Sequence, residues 1–193
     1  MHSGLFSFAS TNLILSLYNC NTHGTSSARP NIVVGMALFC GGLAQLLAGM
    51  WEFAVGNTFG ATVFSSYGAF WLSYATILIP SSGIADAFAA NPSEEPNAIA
   101  IFLISWMVVT VIFFIACLRR NIGLLALFGL LIIMFMLLAI ANFTGKSSVT
   151  TAAGVIGCIT AFVAFYDGAA ELLTADDAFM LPLGHQITKR NVD

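Results

Sequence analysis

Long apolar stretches separated by short polar segments follow one another along the chain. A helix of about twenty apolar residues spans a bilayer, so each stretch of this length predicts a transmembrane span. The predicted spans are six and cover residues 5–20, 32–53, 61–79, 98–118, 122–143 and 149–173. Residues 174–193 form a short polar tail. The pattern therefore predicts an all-α, polytopic membrane protein built as a single transmembrane domain.

The basic residues of the loops predict the orientation, because Lys and Arg concentrate on the cytoplasmic side of a membrane protein. An even number of spans puts both termini on one side. That side carries Arg119, Arg120, Lys189 and Arg190, whereas the opposite side carries Arg29 and Lys146. We therefore expect both termini to be cytoplasmic and the acidic loop at residues 86–95 to lie outside.

Composition excludes several classes of protein. Hydrophobic residues make up 59% of the 193 residues and charged residues only 8%, too few to coat a soluble globule. The net charge of −3 provides no basic stripe for a nucleic acid. His2, His23 and His185 lie near the termini or in loops, so the spans hold no His-based catalytic or metal constellation. We expect no enzyme activity, no metal and no cofactor.

The most polar stretch within the predicted spans reads Gly-Asn-Thr-Phe-Gly-Ala-Thr-Val-Phe-Ser-Ser-Tyr-Gly-Ala-Phe-Trp over residues 56–71. One interpretation is helix packing, because Gly56 and Gly60 form a Gly-x-x-x-Gly motif. The other is a transport path, because Asn57 and Tyr67 are large polar residues that hydrocarbon alone would leave without hydrogen-bond partners. Both interpretations remain open at this point.

A substrate path through these spans would have to bind its solute with neutral groups, since no Lys, Arg or His lies deep within a span. Hydroxyls, amides and helix ends bind anions weakly enough for rapid release. The candidate substrate-binding residues are Thr11, Gln45, Asn57, Thr58 and Asn142. Such a path suits a small, weakly charged solute.

Three acidic residues are candidates for proton handling. Asp167 and Glu171 are four residues apart and share one helix face. Acids inside a membrane are commonly part of proton relays. The alternative is that the sixth helix has already left the bilayer near Phe165, which would make both residues interfacial, and Glu52 has the same two interpretations.

Several blocks of the sequence are similar to the acetate uptake transporter family, the YaaH-like succinate–acetate permeases of bacteria and fungi. The specific block runs from Gly56-Asn57-Thr58-Phe59-Gly60 to Tyr67-Gly68-Ala69-Phe70-Trp71. The similarity extends over essentially the whole chain, and the further matching blocks are residues 4–9, 41–45, 48–52 and 137–142.

This resemblance implies a fold and an activity. It implies six transmembrane helices in each protomer, a separate pore in each protomer, and a homo-hexameric ring. It also implies transport of acetate and related short monocarboxylates, with succinate as a further substrate, either coupled to protons or channel-like. The positions that match the family's hydrophobic constriction are Phe8, Tyr67 and Leu131.

One departure from the family pattern concerns the amino terminus. Family members usually have Asn-Pro-Ala-Pro before the first helix, where this chain has Met1-His2-Ser3. We therefore expect a truncated amino-terminal segment and altered transport.

The sequence favours acetate transport across the plasma membrane over two alternatives. One is a non-transporting membrane protein that senses acetate or regulates a partner, with the polar residues serving only helix packing. The other is export of ammonium, or passage of water, through a pore of the same architecture. The choice between symport and channel behaviour, the preferred carboxylate and the direction of transport are not determined by the residues.

Overall fold

The structure, a computed structural model, describes residues 1–25 and 31–183, and these residues contain helices and no strand. The long helices are α1 (His2–Asn19), the segment made of α2 (Asn31–Gly35), a π-helix (Met36–Ala44) and α3 (Gln45–Ala54), then α4 (Thr58–Leu78), α6 (Glu94–Cys117), α7 (Ile122–Thr144) and α8 (Ser147–Leu172). Short elements connect them: 3₁₀ turns at Thr22–Gly24 and Pro80–Ser82, and α5 (Ile84–Ala87).

The long helices pack side by side into a closed ring. The helix α1 packs against α8, α8 against α7, and α7 against α6, while on its other side α1 packs against the π-helix and α3, which pack against α4. Side chains close the ring between α4 and α6, where Phe70 stacks on Phe102 with ring centroids 5.6 Å apart. Around the ring, α1, α4 and α7 therefore alternate with α8, α6 and the segment made of α2, the π-helix and α3, which is called the second long helix below.

The π-helix brings the second long helix unusually close to its neighbours. A Cβ atom on Gly41 would lie 2.8 Å from both Thr11 Oγ1 and Trp71 Cδ1, so only glycine permits this approach to α1 and α4. A π turn contains one more residue per hydrogen-bonded ring than an α-helix and is frequently found at functional sites. The sequence pattern did not predict it, because its apolar residues fit an α-helix equally well.

Within the described residues, four helices are long and apolar enough to cross a bilayer. These are Ile32–Ala54, Glu94–Cys117, Ile122–Thr144 and Ser147–Leu172. The remaining long helices, α1 and α4, carry more polar side chains, and α1 buries Asn12 and Ser16 in the interior of the bundle. The structure thus supports a helical membrane protein, and the number of spans stays a prediction.

The long helices follow the predicted apolar stretches closely and differ mainly at their starts. The fourth begins at Glu94, four residues before the predicted 98, because acidic side chains are stabilised in the first turn of a helix. The third begins at Thr58 and not at 61, because Asn57 caps it. Arg29, His185, Lys189 and Arg190, as well as residues 184–193 of the predicted tail, lie outside the described residues.

Candidate functional site

Within the described residues, two cavities lie inside the helix ring; the larger of these two has a volume of about 320 Å³ and lies at one end of the ring. Its wall includes the ends of α1, α4 and α7, represented by Asn19, Leu78 and Asn142. It also includes the starts of α6 and α8, represented by Glu95 and Thr150. The cavity thus extends inward from the end of the bundle where α1, α4 and α7 finish.

The smaller cavity lies toward the opposite end of the bundle and holds about 20 Å³, close to the volume of a single water molecule. Residues from the starts of α1, α4 and α7 line it, among them Leu5, Phe59 and Leu124. Almost all of its wall is apolar, and Gln45 is the exception that reaches it from the second long helix. The two cavities therefore lie along one axis through the ring.

Among the described residues, Phe8, Tyr67 and Leu131 alone line both cavities. They come from α1, α4 and α7, the alternate helices of the ring, and each is at most 5% exposed. Side chains that border the cavities on both sides form the partition between them. The structure thus brings together the three residues predicted for the constriction, and their role as a gate stays a prediction.

Tyr67 is the most constrained member of this partition. Its ring centroid lies 5.9 Å from that of Phe8, 5.9 Å from that of Phe113 and 6.4 Å from that of Phe128. Its hydroxyl is 2.8 Å from Thr110 Oγ1, while the Thr110 hydroxyl donates to the Trp106 carbonyl at 2.7 Å. Because Thr110 has one proton to donate, Tyr67 is the donor in the first bond. The aromatic ring of Tyr67 is therefore fixed by packing, and its hydroxyl is fixed by a hydrogen bond.

Two of the predicted substrate-binding residues line the cavities. Asn142 lines the larger one, and its amide donates to the Leu138 carbonyl at 2.8 Å, so its oxygen and second N–H are available. Gln45 lines the smaller one, is 1% exposed, and its Oε1 has no hydrogen-bond partner. The two amides lie on opposite sides of the partition.

The other three predicted substrate-binding residues are not among the residues that line either cavity. Thr11 is fully buried, and its hydroxyl donates to the Ser7 carbonyl at 2.9 Å. Thr58 is exposed at the start of α4. Asn57 precedes it and accepts a hydrogen bond from the Gly60 amide at 3.2 Å. In this structure Thr11 and Asn57 use these groups in structural hydrogen bonds.

The role of Asn57 as a helix cap predicts the effect of its replacement. Its oxygen satisfies one of the free N–H groups at the start of α4, and its Nδ2 donates to Glu52 Oε2 at 2.7 Å. Asn57→Ala should lower the free energy of unfolding by about 1 kcal/mol, and Asn57→Ser should restore most of it because serine is also a good cap. Thermal unfolding of the purified variants measures this. Equal midpoints for Asn57→Ala and Asn57→Ser would contradict the capping role.

The predicted proton-handling residues lie at the end of the bundle that holds the smaller cavity. Glu52 lies near the end of α3, close to the start of α4. Glu171 is half-buried near the end of α8. Asp167 is 1% exposed, and neither of its carboxylate oxygens has a hydrogen-bond partner. It lines a third cavity of about 530 Å³ beside Gly123 and Tyr166, separate from the other two.

Comparison with known proteins establishes the family of the chain. Residues 2–189 match the GPR1/FUN34/yaaH family. The chain belongs to this family. A solved bacterial structure, described as the bacterial acetate channel SatP, superimposes with a TM-score of 0.83 at 34% identity and covers 95% of this chain and 97% of that one.

Two relatives within the GPR1/FUN34/yaaH family have informative names. The succinate-acetate/proton symporter SatP of Escherichia coli K12 is 37% identical over 94% of this chain and 92% of its own length. The ammonia transport outward protein 2 of Saccharomyces cerevisiae is 44% identical over 92% of this chain but only 62% of its own length. The chain thus spans less than two thirds of the yeast relative.

Several residues that line the larger cavity of this family member are not among the predicted site residues. Asn12 and Asn19 are seven residues apart and therefore on one face of α1, a spacing that the sequence does show. Asn12 Nδ2 donates to the Gly157 carbonyl at 2.8 Å, while its Oδ1 is buried without a partner. Trp71 Nε1 is likewise buried without an acceptor. No pattern in the sequence distinguishes these groups from ordinary packing residues.

The described residues contain no group of three or more His, Cys, Asp or Glu side chains placed to hold a metal ion. The two cavities inside the ring are lined mainly by neutral polar and aromatic groups, with the carboxylate of Glu95 in the wall of the larger one, and an apolar partition separates them. This arrangement can admit and release a small solute.

Proposed function

We propose that the chain conducts acetate and related short monocarboxylates across the plasma membrane through the interior of its helix ring. The observation that carries this proposal is the pair of coaxial cavities that meet at Phe8, Tyr67 and Leu131. The likeness to the bacterial acetate channel SatP supports it. Acetate contains four heavy atoms, so the larger cavity is spacious enough to hold it.

The proposed membrane arrangement has six spans, with both termini cytoplasmic and the larger cavity facing outward. The six-helix ring supports the number of spans, because leaving α1 and α4 outside the bilayer would remove two of the three helices that form the partition. We further propose that the protomers assemble as a homo-hexamer in which every protomer has its own path.

The partition acts as a hydrophobic gate in this proposal. A constriction lined by apolar side chains excludes water, and an anion crosses it only when the lining side chains move apart. Amide groups of Asn142 on one side and Gln45 on the other replace part of the hydration shell of the carboxylate. Modest binding by neutral donors permits rapid release, which conduction requires.

Proton coupling is a second candidate, favoured by Asp167. A buried carboxyl group without a hydrogen-bond partner is costly when charged, so it is a natural site for a proton inside a membrane. Its position away from the two coaxial cavities means that it would act on transport through movement of α7 and α8. Passage of ammonia is a third candidate, supported by the name of the yeast relative.

Uptake of labelled acetate into liposomes that contain the purified chain tests the proposal. We expect acetate to equilibrate faster than in empty liposomes, by at least about tenfold at alkaline pH, because little undissociated acetic acid is then present to cross the lipid unaided and the carboxylate crosses hydrocarbon very poorly. A parallel series with an inward proton gradient measures coupling. Because undissociated acetic acid itself accumulates on the alkaline side of a pH gradient, the initial rate above that of protein-free liposomes is compared. A protein-dependent rate that rises with the gradient would favour the symport candidate and direct attention to Asp167, whereas a protein-dependent rate that does not change with the gradient would favour a channel.

Labelled methylammonium serves as the competing solute in the same vesicles. Uptake of methylammonium without uptake of acetate would overturn the proposal in favour of ammonia transport. Uptake of neither solute would support the non-transporting sensor. Both outcomes are read against protein-free liposomes of the same lipid.

A further inference from the structure

The larger cavity contains a negative charge that the proposed passage of anions does not explain. Among the described residues that line it, Glu95 is the only charged one. The other polar groups of the wall are neutral amides, hydroxyls and an indole. Glu95 is half-buried, whereas its neighbour Glu94 is exposed and does not line the cavity.

The fold holds Glu95 at the mouth of the cavity. The helix α6 begins at Glu94, and both acids lie in its first turn, where the helix dipole stabilises a negative charge. Within the described part of the chain, no basic group forms an ion pair with Glu95. Its charge therefore acts on whatever solute enters the cavity.

A fixed charge discriminates solutes by their own charge. The Coulomb energy between two groups is proportional to the product of their charges, so Glu95 repels a dianion twice as strongly as a monoanion at the same position. The apolar walls around the cavity strengthen this field compared with open water. The discrimination does not depend on the shape of the solute.

We propose that Glu95 is a specificity-determining residue that selects singly charged carboxylates and rejects dicarboxylates such as succinate. This inference rests on the proposed passage of carboxylates and specifies its substrate class. Glu95 reduces the entry of every anion, and it reduces the entry of dianions by the square of the factor for monoanions. The remaining selection by size takes place at the partition.

Replacing Glu95 with glutamine tests the proposal, because glutamine keeps the size of the side chain and removes its charge. At neutral pH and low salt, we expect acetate uptake by Glu95→Gln to rise about two- to fivefold. Succinate uptake should rise by the square of that factor, about four- to twenty-five-fold. Both increases should largely disappear in 1 M salt, where the screening length falls to about 3 Å.

Two further variants separate charge from structure. Glu94→Gln removes a charge one residue away that does not line the cavity, and it should change the succinate-to-acetate ratio by less than about twofold because its exposed carboxylate acts on the solute mainly through water, where the Coulomb energy is small. Glu95→Asp keeps the charge and should keep the wild-type ratio. Transport in either direction passes Glu95, so random orientation of the protein in liposomes does not affect the comparison.

The outcomes are distinguishable from failure of the proposed function. Wild-type acetate uptake with an unchanged succinate-to-acetate ratio in Glu95→Gln would overturn the role of Glu95 and preserve the proposed function. An equal change in Glu94→Gln would also overturn it. Absence of acetate uptake by the wild-type chain would overturn the proposed function and, with it, the role of Glu95.

Discussion

Replacement of Tyr67 with alanine is expected to raise the uptake of propionate and lactate relative to acetate by on the order of tenfold, equivalent to about 1.4 kcal/mol of barrier. Tyr67 contributes the largest side chain of the partition and is 2% exposed. Removing its ring opens the space between Phe8 and Leu131 and joins the two cavities. Water then enters the constriction, so larger acids cross it with less desolvation. Competition uptake in liposomes measures the ratio.

The matched control is Tyr67→Phe, which keeps the ring and removes only the hydrogen bond to Thr110. We expect wild-type selectivity and a loss of about 1 kcal/mol of stability, the usual net contribution of one hydrogen bond. If Tyr67→Ala transports acetate with wild-type selectivity, the partition is not the gate.

Stability of the alanine variant must be measured alongside transport. Truncation of a buried aromatic side chain costs about 3–5 kcal/mol, and Tyr67 packs against rings from α1, α6 and α7. Phe8→Leu offers a smaller change at the same partition. It should relax selectivity in the same direction but by a smaller factor, and a change in the opposite direction would contradict the gate.

The helix positions were predictable because apolar stretches of this length have few alternatives to a membrane helix. The predicted 122–143 and the observed Ile122–Thr144 differ by one residue. The starts of α4 and α6 were less accurate, since caps depend on single side chains such as Asn57 and not on the average polarity of a stretch. The π-helix depends on tertiary packing at Gly41, which no local pattern encodes.

Residues of the candidate site could be predicted well from the family resemblance, which specifies individual positions. They could be predicted less well from the polarity of side chains alone. Phe8, Tyr67 and Leu131 are far apart in the sequence; the family resemblance predicts them as a group, and the fold places them together. Polarity alone suggested Thr11, whose hydroxyl bonds to its own helix. Polarity alone does not indicate a role for Glu95. The composition around Glu95 predicts a loop, whereas in the fold Glu95 lines the larger cavity. A side chain's partner decides whether it is available to a substrate, and partners appear only in the folded structure.

Replacing Gly68 with alanine is expected to destabilise the protein by about 2–3 kcal/mol, because overpacking a close helix contact forces the backbone to shift. A Cβ at this position would lie 2.8 Å from the Leu46 nitrogen and 2.9 Å from the Leu46 Cα. These are backbone atoms of α3, and no change of rotamer can move them. Thermal unfolding in detergent should show a clearly lower midpoint.

The control is Gly129→Ala in α7, where the nearest atom to a new Cβ is Phe114 Cε2 at 3.5 Å, an ordinary contact. This variant should be neutral or more stable by up to about 1 kcal/mol, because alanine favours a helix over glycine. Equal midpoints for the two variants would show that α3 and α4 are not held together at Gly68.

Because Tyr67 is the adjacent residue on α4, a shift of that helix also displaces the partition. We therefore expect Gly68→Ala to relax the acetate selectivity while Gly129→Ala keeps it.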